Sequence, residues 1–584
     1  MRTLLPVEKG KWQNRGRAAL FVIGLAMFLA VFFDFYYDLN DDTAMKDILS
    51  GTYTGLPDGH NIQMLYPLSF VISLFYKVCP MLPWYGIFLL GSQLLAVWIS
   101  FCSLFTWLSA QKRKKTWLLF LTVAIGSLFL YEFIFVQYTV TAGLLAVAAL
   151  VRICTSPHAK DKEFFRYHIV TVMLVVLAFY LRTEMLLLLC PFLGLCGLWS
   201  VFGELAEERE TVGKRCVLVR YSLLAVSVLI LMGVGLLADR AAYGSTQWRS
   251  FRQFFDDRTS VYDFYGIPDY EIHREFYEGM GISEAEYTLL VNYNFDLDEE
   301  IDAEAMSKIA RYAAESREQG VFRRLYLCAY TYVYRFLHGQ EIVFDLLLAV
   351  SYFFLAKAAL KGKNPQLLGK LVLLFGMRTA IWLFLLYMGR VPERITHPLY
   401  LAELVLLVLL FLSDTKALQW KKYEKSAILS MYILLFVCTA VYHAQTVSEK
   451  YAVREETNLR WQQWKEYCRS NPQQFYYLDV YSSVAYSEKL FSDTSSDYRN
   501  FDLAGGWCSK SPLAAQKRAA MGFESAKDGL LAGQAFFVTD ATKPERSPEF
   551  LIPWYQEKGN DIVLQEVGRC GSFSVFRIIE KTVN

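Results

Sequence analysis

Through residues 1–444 the chain alternates long apolar runs with short polar connections, a pattern that predicts membrane-crossing helices. A span needs about 20 apolar residues at roughly 1.5 Å each. Runs of that kind occur at Ala18–Tyr36, Trp84–Leu108, Trp117–Val136, Gln137–Ile153, Phe164–Leu181 and Met185–Val201. Others follow at Val217–Ala238, Ile342–Leu360, Leu371–Met388, Pro398–Leu412 and Ala427–Ala444, making about eleven in all. Arg15 and Arg17 precede the first run and no small-residue cleavage site follows it. It therefore reads as a retained helix and not a removable signal.

Cations in the short connections set the expected orientation. With the N-terminus inside, Lys112–Lys115, Arg152, Lys160, Lys162, Arg166, Lys214, Arg215, Lys361, Lys363, Lys416, Lys421, Lys422 and Lys425 all fall on the cytoplasmic side. This holds only if Leu65–Val78 does not cross. Pro67, Pro80 and Pro83 interrupt and flank it, so an amphipathic helix on the outer membrane face is expected there.

Three stretches then face outward: residues 37–83, 239–341 and 445–584. In the last, Phe475–Val480, Ala535–Thr539, Asp561–Val567 and Phe573–Ile579 have the short apolar pattern of strands. The expected fold is mainly α: a polytopic membrane helical bundle (1–444) carrying a small extracytoplasmic α/β C-terminal domain (445–584).

Composition agrees with lipid as solvent. Of 584 residues, 54% are hydrophobic and 20% charged, against about 25% charged in soluble domains. A net charge of +2 excludes a nucleic-acid binder, which needs a basic excess to neutralise phosphates. No Walker A, GxGxxG or HExxH motif is present, and the 11 Cys form no CxxC pair. Cys508 and Cys570 are expected outside and able to pair, with Cys468 in competition.

Ionisable groups beside lipid are costly, and each marks a functional hypothesis. Asp34, Asp38, Asn40, Asp41 and Asp42 cluster where the first helix ends. One Asp is adequately explained as a cap for a helix starting near Ala44; several carboxylates are not. Arg182 and Glu184 interrupt two apolar runs, either as a water-facing turn or as a fork for a lipid-borne phosphate. Arg390, Glu393, Arg394 and His397 form a cationic cluster on the outer side, where few cations are expected. Arg378, deeper in the same span, is expected to snorkel inward. Ser283 and Glu286 match a capping box. Asp296, Asp298, Glu299, Glu300 and Asp302 lack the Gly of a calcium loop and read as a solvated acidic face.

The order of these features resembles the GT-C superfamily of multi-pass glycosyltransferases, which includes aminoarabinose and protein O-mannosyl transferases. The resemblance rests on Asp41-Asp42 after the first helix, then MKDILSGTYTG with Ser50-Gly51, then YPLSFVISLFYKVCP from Tyr66 to Pro80. It covers the first hundred residues best and departs in a shorter stretch between the acidic pair and Ser50-Gly51. It implies a polyprenyl-phosphate sugar donor and transfer to an acceptor hydroxyl on a cell-envelope glycan, lipid or protein. The implied place is the outer face of the plasma membrane, and the implied outcome is inversion. The base role falls to Asp41 first and Asp42 second. The implied binding set is Arg394, Arg390, Arg182, Glu184, His60 and His397. No cofactor is demanded; a divalent metal ion oriented by Asp42 is the one candidate. Two rival readings remain at this point. One is a polysaccharide polymerase or ligase. The other is a non-catalytic lipid-linked saccharide transporter, although no internal repeat of the transporter kind is visible.

Overall fold

The first apolar run becomes a helix over Val7–Phe32, the start of a mainly helical chain. The computed structural model describes residues 7–109, 129–156, 161–207, 211–316, 320–338, 341–413, 422–483, 486, 488–492 and 499–581. Among the described residues nine helices are long and apolar enough to cross a membrane. They are Gln13–Phe32, Trp84–Leu108, Lys162–Leu181, Thr183–Ala206, Gly213–Ala242, Ile342–Lys361, Pro365–Met388, Glu393–Ser413 and Ser430–Ser470. Leu229, Val234 and Leu237 on one of these lie exposed, as expected of side chains solvated by lipid.

Two expected spans differ. Gln137–Ile153 becomes a 17-residue helix, Tyr138–Cys154, buried along nearly its whole length at the centre of the bundle. Trp117–Val136 lies mostly outside the described residues. Its visible end is a short helix, Leu130–Ile134, followed by strand β2, Phe135–Val136. The stretch expected not to cross forms a 13-residue helix, Tyr66–Val78, about 20 Å long and too short for a span. Ser69, Ile72, Ser73 and Tyr76 line its buried face, and Val71, Leu74, Phe75 and Val78 its exposed one. Backbone amides at its start donate to Tyr180 O and Asp239 Oδ1, both at 2.9 Å.

Where the first helix stops, β1 (Tyr36–Tyr37) pairs in parallel with β2. We call this the capped end of the bundle, because it lies under a five-stranded sheet. The sheet comprises β3 (Phe475–Leu478), β4 (Phe501–Leu503), β5 (Ala535–Asp540), β6 (Ile562–Cys570) and β7 (Phe573–Glu580), in the order β4-β3-β5-β7-β6. The pairs among β4, β3 and β5 are parallel; β7 runs antiparallel to β5 and β6. The four strands expected from sequence are all present. Three-residue β4 offered too little alternation to be seen.

The period of two sorts the central strands onto two faces. Phe475, Tyr477 and Phe537 pack with Tyr277, Leu289 and Phe295 from the 239–341 connection. Tyr476, Leu478, Phe536 and Val538 pack with Trp461 and Trp464, from the end of a 49-residue helix, Lys422–Ser470. That single helix runs through the expected boundary at Ala444–Gln445, so bundle and sheet share an element. The 239–341 connection comes so close to the sheet that a Cβ on Gly505 would lie 1.6 Å from Tyr293 O.

Several polar expectations change. Arg378 does not snorkel. It is buried between spans, with Nη2 2.7 Å from Asp345 and Nε 3.0 Å from Glu403, because pairing inside the bundle offsets part of the cost of a charge in lipid. Asp296 and Asp298 are buried, not solvated: Arg518 Nη1 donates to Asp296 and Trp554 Nε1 to Asp298. Cys508 and Cys570 are both free, Cys508 in an aromatic cluster with Tyr53 and Trp248. The capping box of Ser283 and Glu286 forms as expected.

Candidate functional site

Asp41 and Asp42 lie in the first turn of a helix that begins at Asn40, not before one that begins at Ala44. The N-cap residue is Leu39, and no side chain caps the helix. The capping explanation therefore fails for both. Carboxylates in a first turn still benefit from the helix dipole. The turn is fixed from outside by Tyr37 N–H on Glu488 O and Asp38 N–H on Val136 O, both at 3.1 Å. The helix ends at Gly51, φ 85°, where a Cβ would approach Pro57 N to 2.6 Å and only glycine fits.

The acidic residues around this helix sort by what they touch. Asp34 pairs with Lys489 at 2.5 Å. Asp38 accepts from Tyr131 Oη at 2.6 Å and Arg454 at 3.3 Å. Asp42 is fully buried and accepts from Tyr85 Oη at 2.9 Å and Tyr138 N–H at 3.3 Å. Asp47 is held by Lys46 and Arg499. Asp41, half-buried, is the one member of the set that accepts no hydrogen bond among the described residues. Burial raises its proton affinity; Arg394, Arg258 and Arg182 act in the opposite direction, and Asp263 pushes it up again. Burial pushes the Asp42 carboxyl well up, with the hydrogen bond from Tyr85 opposing. Asp42 is thus occupied by two donors, while Asp41 keeps its carboxylate free to accept a proton.

The guanidinium groups of Arg394, Arg258 and Arg182, from distant parts of the chain, all act electrostatically on Asp41. Arg182, between two spans, donates to Gln63 Oε1, pairs with Glu184 at 3.0 Å and faces the Tyr138 ring at 5.4 Å. Arg394 opens the Glu393–Ser413 helix and makes no ion pair among the described residues. Arg258 ends the Thr246–Thr259 helix and is only 5% exposed. Its Nε and Nη1 are buried without a hydrogen-bond partner, and only Nη2 donates, to Thr259 Oγ1 at 3.3 Å. The ring of Phe255 supports it at 4.4 Å. Leaving a buried charge uncompensated typically costs about 3–5 kcal/mol. Retaining one here is reasonable if an anion pairs with it. A π-helical turn, Ser260–Tyr265, follows at once; such turns recur at functional positions. It places Asp263 against Arg390 at 2.5 Å, so Arg390 is already neutralised.

The remaining sequence candidates are placed elsewhere or satisfied. Glu184 is exposed and paired with Arg182. Both nitrogens of His60 are engaged, Nδ1 with Asp58 at 2.6 Å and Nε2 with Ala242 O at 3.3 Å, and its ring stacks on Trp248 at 4.5 Å. That makes His60 a pin for the turn after the acidic helix. His397 pairs instead with Glu132 and makes no hydrogen bond or ion pair with Asp41 or Arg258 among the described residues. Sequence reading missed Arg258 and Asp263. The available signal was an Arg set among aromatics in QFFDDRTSVYDFY.

Among the described residues the one set of three metal-capable groups in mutual reach is Glu286, Asp298 and Glu300. Lys558 Nζ already lies between them, at 2.6, 3.3 and 3.0 Å, so an ion-pair node accounts for the cluster. Comparison of the chain with models of protein families, with curated proteins and with solved structures finds no match.

Proposed function

We propose that this chain is a membrane glycosyltransferase resembling the GT-C enzymes, which moves a sugar from a polyprenyl-phosphate donor to an acceptor hydroxyl. The observation that carries the reading is that Asp41, a carboxylate free of hydrogen bonds among the described residues, lies in the electrostatic field of the buried Arg258, whose Nε and Nη1 have no hydrogen-bond partner. Arg182 and Arg394 add to the same positive field. With Arg390 held by Asp263 and Arg182 by Glu184, Arg258 and Arg394 exceed Asp41 by one positive charge. A phosphate monoester or diester fits that excess.

In this mechanism an acceptor hydroxyl gives its proton to the Asp41 carboxylate. The oxygen attacks the anomeric carbon, and the bond from that carbon to the phosphate oxygen breaks. The electron pair leaves on the phosphate, where Arg258 and Arg394 stabilise the charge. One displacement inverts the centre. Asp42 acts by position, tying the helix to Tyr85 and Tyr138. The cation pattern turns the capped end outward at the plasma membrane. The sheet then belongs to an extracytoplasmic α/β domain, and the donor's prenyl tail stays among about eleven spans. Acceptors are glycans, lipids or proteins of the cell envelope.

The test uses purified protein in nanodiscs with polyprenyl-phosphate donors carrying labelled sugars. Acceptor-dependent release of polyprenyl phosphate is expected. Intact donor crossing a sealed bilayer with no bond cleaved would support the transporter instead.

A further inference from the structure

A second place for a ligand lies where the sheet meets the 239–341 connection. β3 and β5 are parallel neighbours, yet the chain leaves β3 for β4 on one side and β5 for β6 on the other. In open α/β sheets, ligands bind outside the carboxyl ends of strands whose connections part in this way. Here that edge is bordered by Val480–Ser483 after β3, by residues 541–546 after β5 and by residues 292–294. Asn294 Nδ2 donates to Asp479 Oδ1 at 2.8 Å, Arg546 Nη1 to Asn292 Oδ1 at 3.0 Å and Lys543 Nζ to Tyr481 O at 2.9 Å. Tyr293, between the two tethered asparagines, has φ 61°. Bulky residues seldom adopt that left-handed conformation, and it persists where the surroundings impose it, often at ligand clamps. Its ring lies 4.2 Å from Tyr262, 5.8 Å from the Arg258 guanidinium and 6.2 Å from the Tyr481 ring. Arg546 sits over Tyr481 at 4.4 Å, and Tyr481 remains 36% exposed. Arg258, Tyr293, Tyr481 and Arg546 thus form a continuous series of contacts from the proposed reactive centre to the sheet edge.

Charge and ring geometry narrow the occupant. The carboxylates at the strand ends are buried and satisfied, Asp479 by Asn294 and Ser482, Asp540 by the Thr542 amide and hydroxyl. Lys543 and Arg546 make no ion pair among the described residues and outnumber Glu545, the exposed carboxylate between them, by one. A guanidinium free of carboxylates suits an incoming carboxylate or phosphate oxygen. Tyrosine rings suit the C–H faces of sugars. The Tyr293 and Tyr481 rings are turned 66° from each other, which follows the twist of a glycan chain and not the parallel stack of planar bases. We propose that this track binds the acceptor of the transferase reading, on which it rests, and that the acceptor is an acidic glycan. One sugar lies against Tyr293 and the next against Tyr481, with an anionic group on Arg546 and Lys543. The end of the glycan is then on the Arg258 side, where transfer is proposed.

The experiment is fluorescence anisotropy of labelled oligogalacturonates, one to six sugars long, titrated with the full chain in nanodiscs and without donor. Affinity is expected to rise from one sugar to two or three and then level. Methyl-esterified oligomers keep the rings and lose the charge, so they should bind about ten- to a hundredfold more weakly, as should Arg546→Gln with the acidic form. Tyr481→Ala should weaken binding roughly 2–10-fold, and Tyr481→Phe should restore it, because the contact uses the ring. Glu300→Gln, in the Lys558 node, should leave binding unchanged. No binding of the acidic oligomers, equal binding of the esters, or full binding by Arg546→Gln would overturn the proposal. Equal affinity for polyglutamate would overturn it in favour of an acidic protein acceptor. Polyprenyl-phosphate binding measured on the same samples separates two failures. If it is retained while the oligomers do not bind, the track alone falls; if both are lost, the transferase reading falls with it.

Discussion

Two charge clusters flank the Asn40–Ser50 helix, and they are built from the same residue types. In the first, Lys46, Asp47, Lys465, Glu488 and Arg499 form a densely paired node, in which Arg499 Nε and Asp47 Oδ1 are the atoms buried without a hydrogen bond among the described residues. Glu488 accepts from Trp461 Nε1 at 3.0 Å and from Lys465 at 3.2 Å while also pairing with Lys46 and Arg499. Asp47 joins through Lys46 and Arg499. In the second, Asp41 and Arg258 face each other's field with bonding capacity left over. Burying charges with nearly every partner supplied fastens one part of the chain to another. Burying charges with donors to spare holds a place for something else. The helix is thus anchored at one end of its length and chemically open at the other.

Mutations should separate the two clusters, the largest effects first. Asp41→Asn is expected to lower sugar transfer by roughly 10²–10⁴-fold, the usual contribution of a general base, with thermal stability and donor binding retained. Glu488→Gln should act the opposite way. It strands Lys46, Lys465 and Arg499 and should cost about 3–5 kcal/mol, read as a lower melting temperature that no donor lipid restores.

The node also has a pH signature. Burial opposes ionisation of Glu488, but Lys46, Lys465 and Arg499 outweigh it and hold the carboxyl well below its usual range. Its contribution to stability is therefore complete above about pH 4.3, the unfolded value. It is lost as pH falls through the lower folded value. Melting scans below pH 4.3 should show this slope in the unaltered protein and not in Glu488→Gln.

Arg258→Gln should weaken polyprenyl-phosphate binding about ten- to a hundredfold, the cost of a charge-assisted hydrogen bond of roughly 1.5–3 kcal/mol. Asp41 is raised by burial and lowered by Arg258, so the same change should move the acid limb of the rate profile to higher pH. A profile that stays in place would remove Arg258 from Asp41's field. The smallest effect is expected at Glu184→Gln. Its ion pair with Arg182 is solvent-exposed and contributes about 0–1 kcal/mol, so stability and transfer should both stay near their original values.

How far the sequence could be read follows the range of the forces involved. Spans were legible because apolar length is local, and β3 and β5–β7 because alternation is local. Asp41 stood out because carboxylates at a helix exit are rare. Arg258 did not, since its importance depends on a connection folding back over residues two hundred positions earlier. Asp345 and Glu403 are single carboxylates in apolar runs that sequence reading passed over, and only packing shows that they share Arg378. His60 misled for a local reason: its partner, Asp58, is two residues away, and the ring satisfies itself there.

The most direct test is a cryo-EM structure of the full chain in nanodiscs with bound polyprenyl phosphate. Phosphate density within hydrogen-bond reach of Arg258 Nε and Nη1, with the Asp41 carboxylate opening toward the space beside it, is the expected result. A lipid phosphate held elsewhere, with Arg258 still unpaired, would contradict the assignment of Asp41 and Arg258 as the reactive centre.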